Sequence, residues 1–187
     1  LPTTGAAWQA VLAAASKAPG TPNLSDQDGP VNVNVLAHAL VYVRTGLDIH
    51  KEAVLTALRS LINNQSENGG RTLALGRELA AYVVAADLVG LDAGLNTAFE
   101  TRLRGLLGKT LDGMTLRECH ERRPNNWGTF AGASQAAVAA YLGDRADLDR
   151  CAVVFDGWLG DRAAYAGFKF GGLEWQPDPD HPVAVCL

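Results

Sequence analysis

Charge is thinly spread in this chain of 187 residues: Asp, Glu, Lys and Arg make up 19% of it, against 48% hydrophobic residues. Disordered chains have the opposite balance, so this one is expected to fold around a core. Basic residues are too few for a nucleic-acid footprint. The net charge of -4 and pI near 5.5 exclude a nucleic-acid partner unless a local basic patch exists. No apolar run reaches the roughly 20 residues of a membrane helix, so no membrane partner is expected. Cysteine is also scarce. Cys119, Cys151 and Cys186 form no CxxC pair, which argues against a zinc site. GxGxxG, P-loop, GxSxG and HExxH spacings are all missing, so no cofactor or metal is implied.

What the chain does have is apolar residues at helical spacing, punctuated by glycine. Its length sets a prior of one domain, 1–187. Trp8, Val11, Leu12 and Ala15 share a helix face behind Thr3 or Thr4 as cap. Val35, Leu36, Ala39, Leu40 and Val43 mark a second helix, which Pro30 opens and Gly46 follows. Asp48 is placed to cap a third, carrying Leu55, Leu58, Leu61 and Ile62. Leu75, Leu79, Tyr82, Val83 and Ala86 form the next, closed by Gly90. Asp92 caps a fifth, and Thr115 to Glu118 has capping-box spacing for a short sixth. Trp127 to Leu142 is a helix of small residues, where Ala131, Gly132, Ala133 and Ser134 allow a neighbour close approach. A last helix holds Leu148, Ala152, Phe155 and Leu159. The expected fold is all-α, in antiparallel helix pairs joined by short connections. From Gly160 to Pro182 the chain reads as a long ordered loop, and Val183 to Leu187 as an apolar end.

The densest polar cluster is His120-Glu121-Arg122-Arg123-Pro124-Asn125-Asn126-Trp127. It precedes a helix, where free amides and the helix dipole favour an anion. Arg122, Arg123, Asn125 and Asn126 there are suited to holding a carboxylate. The plainer alternative is an asparagine cap beside solvated arginines. His120 is a candidate general base, with a structural role as its alternative. Arg77, Glu78 and Tyr82 either line a cleft or form a surface pair beside a core tyrosine. Tyr165, Phe168, Phe170 and Trp175, interleaved with Lys169 and Glu174, either stack on sugar rings or make a satellite hydrophobic cluster. Cys119 and Cys151 are expected to form a disulfide, since two packed helices would bring them together beside the His120 loop. Three free thiols are the alternative.

Pro124-Asn125-Asn126-Trp127-Gly128-Thr129-Phe130, with its Ala-rich helix and Tyr141-Leu142-Gly143-Asp144, resembles the Asn-Asn helix start of alginate-lyase-like polysaccharide lyases. Pro22 to Asp26, Arg77 to Tyr82, and Trp158 to Arg162 through Trp175-Gln176 are similar to the same group. The resemblance implies an incomplete (α/α) toroid and an exported bacterial enzyme, secreted or periplasmic, with its signal peptide removed. It also implies β-elimination on an acidic polysaccharide. Catalysis is then expected from Asn125, Asn126, His120 and Arg123. Arg122, Trp127, Arg77, Tyr82, Tyr165, Lys169 and Trp175 are expected along the substrate. Alginate lyases with this element read Asn-Asn-His, whereas here the third position is Trp127, which shifts the expectation towards glucuronan-type polymers. Their later helices, with a tyrosine and an arginine, have no counterpart here. A homodimer or a missing C-terminal segment is therefore expected. Two rivals are a helical glycoside hydrolase, with Glu121 and Glu174 as its carboxylates, and a non-catalytic carbohydrate-binding fragment.

Overall fold

A computed structural model describes residues 4–160 of the chain. Among them are eight helices: α1 (Ala6–Ala15), α2 (Val31–Thr45), α3 (Asp48–Asn63), α4 (Thr72–Val89), α5 (Ala93–Leu107), α6 (Leu116–Arg122), α7 (Asn126–Leu142) and α8 (Arg145–Leu159). There is no strand among the described residues, only an isolated bridge between Leu111 and Met114. The all-helical expectation holds over this range.

The helix ends follow local chemistry. Asp92 caps α5 by accepting from the Leu95 amide, Asp144 caps α8 by accepting from Asp147, and Thr115 with Glu118 completes the capping box of α6. Two expected caps are corrected. α1 starts after Gly5 with no side-chain cap, and the cap of α3 is Leu47. Asp48 falls inside the first turn of α3, where its charge still suits the helix dipole.

α4 lies in the middle, with α2 on one side and α7 on the other. α4 and α7 run parallel. A Cβ on Gly76 would come within 2.8 Å of the Ala131 amide nitrogen, and one turn later the Ala80 amide donates to Ser134 Oγ. The small residues of α7 thus do what their size suggests: they let two helices touch backbone to backbone. α1 and α3 pack on α2, α5 on α3, and α6 and α8 on α7. The main core gathers Leu24, Leu58, Leu75, Leu79, Tyr82, Phe99 and Leu103. A smaller cluster joins Trp8, Val11 and Leu12 to Ala37 and Val41.

The loops before α2 and α4 are stitched together. The Leu24 amide donates to Ser66 Oγ at 2.9 Å, and Asn64 Nδ2 to the Pro22 carbonyl at 3.1 Å. Beneath them the buried Glu67 carboxylate takes a two-pronged bond from Arg102, at 3.0 and 2.5 Å. The starts of α2 and α4 therefore share one end of the molecule. Because α7 runs parallel to α4, its own start lies at that end too. Beyond Gly160, the expected loop to Pro182 and the apolar end lie outside the described residues.

Candidate functional site

The head of α7 is built by a tight reversal of the chain. Asn125 has extended backbone, and its Oδ1 accepts from the Trp127 amide at 3.0 Å, which makes it the helix cap. Gly128 is required in the first turn, since a Cβ there would lie 1.8 Å from the Arg123 carbonyl oxygen. With Asn125 committed to the backbone, Asn126 stands exposed at the first helical position. The Arg123 guanidinium lies over the Trp127 ring, 4.5 Å from its centroid. Trp127 is half-buried against the core. Arg122 pairs with Glu118 at 3.5 Å.

Four residues beyond Asn126, and so on the same face of α7, is Phe130. Arg77 from α4 reaches over it, 5.3 Å from the ring centroid, and pairs with Asp28 at 3.4 Å. The Arg77 carbonyl accepts from Asn32 of α2 at 3.3 Å. Next to Arg77 the chain buries a carboxyl group. Glu78 is 2% exposed, and its pKa is pushed up to about 8 by burial first and by Asp26 second, with Arg77 opposing. It holds a proton at neutral pH. Tyr82, one turn further, is fully buried, and burial raises its pKa as well. The structure therefore brings Arg77 towards the Asn126 face but places Tyr82 in the core. A polymer at the surface does not touch Tyr82.

His120 is also placed otherwise than expected for a base. It is 4% exposed, with Nδ1 3.0 Å from the Gly128 carbonyl and Nε2 3.3 Å from that of Cys151. Its ring meets Trp158 edge to face at 4.8 Å. A proton acceptor needs a lone pair aimed at its substrate, and both nitrogens here aim at main-chain oxygens. The ring braces α6 against α7 and α8. The expected Cys119–Cys151 disulfide is corrected too: both thiols are buried and free. Adjacent residues on a helix point about 100° apart. His120 faces Cys151, so Cys119 is turned away into the main core. Burial pushes Cys119 up to about 11 and Cys151 to about 12.

Between α7 and α8 runs an apolar cavity of about 480 Å³, lined by Gly132, Ala136, Leu148, Cys151, Ala152 and Phe155. Thr129, Arg145, Asp149 and the edge of His120 also line it. Tyr165, Lys169, Trp175 and Glu174 lie outside the described residues. Among the described residues no three His, Cys, Asp or Glu side chains come together as a metal-binding group. No described helix is long and apolar enough to cross a membrane.

Sequence reasoning missed Asp28, gave Phe130 no role of its own, and missed the buried state of Glu78. The last had a signal: Glu78 sits at helical spacing from Leu75 and Tyr82, both core residues. No curated protein and no solved structure matches the chain. The family model described as alginate lyase matches residues 52–168. That span exceeds half the chain and contains Arg77, Arg123 and the Asn125-Asn126 helix head, so the chain belongs to the alginate lyase family.

Proposed function

We propose that this chain is the lyase domain of an exported enzyme that cuts a uronic-acid polymer, of glucuronan or alginate type, by β-elimination. The observation that carries the reading is the open Asn126 at the head of α7, flanked by Arg123 and by the Arg77–Phe130 pair, within a chain of the alginate lyase family. The proton at C5 of a uronate is weakly acidic until the adjacent carboxylate is neutralised. The Asn126 amide and the guanidinium groups of Arg123 and Arg77 are the groups that neutralise it, stabilising the enolate-like charge as it develops. Trp127 and Phe130 supply apolar edges for the sugar rings. Glu78 keeps its proton, so it adds no negative charge to repel the substrate. In this reading His120 positions the helix head and is not the base. Parallel α4 and α7 beside α2, with the remaining helices outside them, are the arrangement expected of part of an (α/α) toroid.

The hydrolase alternative is disfavoured by Glu121, which is 3% exposed and bonded by Arg150 at 2.5 Å. Held in that pair, Glu121 is not presented to a scissile bond at the surface. The test is a panel of uronate polymers read by the ultraviolet absorbance of the unsaturated product. New absorbance supports the lyase. Reducing ends without absorbance select hydrolysis, and binding without turnover selects a carbohydrate-binding module.

A further inference from the structure

Two histidines meet at the corner between α1, α2 and α3. His38, in α2, is 6% exposed. Its Nε2 is 2.9 Å from the carbonyl of Lys17, just past the end of α1, and its Nδ1 is 2.9 Å from Nδ1 of the half-buried His50, in the first turn of α3. These contacts fix both tautomers. A carbonyl only accepts, so the hydrogen of neutral His38 sits on Nε2 and its Nδ1 presents a lone pair. His50 then donates through Nδ1, leaving its own Nε2 bare.

The ring centroids are 5.0 Å apart and the planes tilted by 47°. With the nitrogens 2.9 Å apart, that separation means the rings meet nearly head-on, as in an N–H···N bond. No third metal ligand joins them among the described residues.

We infer that His38 and His50 form a proton-operated latch on the α1–α2–α3 corner, closed with no extra proton or one, and opened by a second. The first extra proton goes to Nε2 of His50 and makes the N–H···N bond charge-assisted. The second has only Nδ1 of His38 to go to. There it destroys the acceptor and sets two cations against each other in a buried place. Burial holds His50 below the usual histidine value.

No carboxylate of the surrounding elements is paired with either ring among the described residues. On α3, Asp48 and Glu52 are exposed, Arg59 is exposed, and Lys51 lies over Tyr42. On α2, Arg44 lies over Trp8, and beyond α1 Lys17 is exposed and offers the pair its carbonyl. On α4, Arg77 pairs with Asp28, Glu78 faces Asp26 and Arg77, and Asp87 acts on Tyr141. On α5, Glu100 pairs with Arg104 and Arg102 with Glu67.

Long-range proton–nitrogen spectra of the intact chain, followed downward from about pH 8, test the latch. The expected result is His38 as the Nε2–H tautomer, His50 as Nδ1–H, and two protonation steps separated more than tenfold in proton affinity. Amide exchange around residues 15–19 and 46–52 rises at least tenfold at the second step. His50→Ala leaves His38 with one step and abolishes that acid-induced rise. Should His50→Ala fail to fold, His50→Asn is read the same way. Two rings titrating independently as ordinary histidines overturn the latch, as does His38 in the Nδ1–H form. Added zinc shifting both Nδ1 resonances at micromolar concentration replaces it with a metal centre.

Discussion

The hydroxyl of Ser134 donates to the carbonyl of Gly76 at 2.7 Å while accepting from the Ala80 amide at 2.9 Å, so it bridges two groups that an α-helix pairs with each other. α7 is thereby keyed into the backbone of α4. Ser134→Ala leaves the bridge unmade and is expected to cost about 1–3 kcal/mol. Gly76→Ala pushes a methyl against the Ala131 backbone, which cannot yield as a flexible side chain would, and costs about as much or more. Denaturant melts of both variants check this, and a neutral Gly76→Ala would refute the close approach.

His120 and Gly132 are matched in the same way. A Cβ on Gly132 would lie 2.2 Å from Nδ1 of His120. Gly132→Ala therefore displaces the ring, and His120→Ala opens a cavity and strips a main-chain carbonyl of its partner. Both are expected to destabilise by about 2–4 kcal/mol. An ordinary melting temperature for His120→Ala, together with lost turnover, would return His120 to the role of base.

Two buried glutamates predict opposite responses to pH. Glu78 is raised to about 8, so its proton favours the fold. The stability it lends is whole below the ordinary carboxylate value, falls as pH rises towards 8, and is level above that. Glu78→Gln should stabilise the protein at pH 8 by an amount on the order of a few kcal/mol and flatten that fall. Glu67 is the reverse. Burial alone would raise it, but the Arg102 hydrogen bonds, its own amide and the charges of Arg102 and Lys109 hold it below the usual carboxylate value. Its contribution is present above that value and is lost on acidification. Glu67→Gln should cost about 3–5 kcal/mol at neutral pH, because a largely enclosed guanidinium loses its charged partner. Melts of both variants across pH separate the two slopes.

Neighbouring asparagines should separate stability from activity. Asn125→Ala removes the α7 cap and is expected to cost about 1 kcal/mol. Asn126→Ala touches an exposed side chain and should leave the melt unchanged while lowering elimination on uronate polymers at least tenfold. Activity within about twofold of the parent sinks the assignment of Asn126.

Burial and raised pKa values make Cys119 and Cys151 poor nucleophiles. Alkylation of the native chain should leave both unmodified over hours and label them at once after unfolding. A mass consistent with a bond between them would contradict the free thiols of the structure.

The helices were legible in the sequence because their signals are local. Apolar spacing from Leu75 to Ala86, the Thr115–Glu118 box and the Asp92 cap act within a turn or two of chain, so no distant residue is needed to read them. The misread starts of α1 and α3 show the limit, since a polar residue near a helix start need not be its cap. The Asn125-Asn126 element marked the helix head, and which asparagine caps was settled by the fold of 123–128. The state of single side chains belongs to the tertiary structure. His120 reads as a base in a polar string, and only the approach of Cys151 from α8 encloses it. His38 and His50 are twelve residues apart and share one bond because α2 and α3 fold back on each other. Glu78 keeps its proton because α4 lies in the middle of the array, where water is excluded on most sides. Burial and pairing depend on what arrives from elsewhere in the chain, and a one-dimensional pattern does not carry that information.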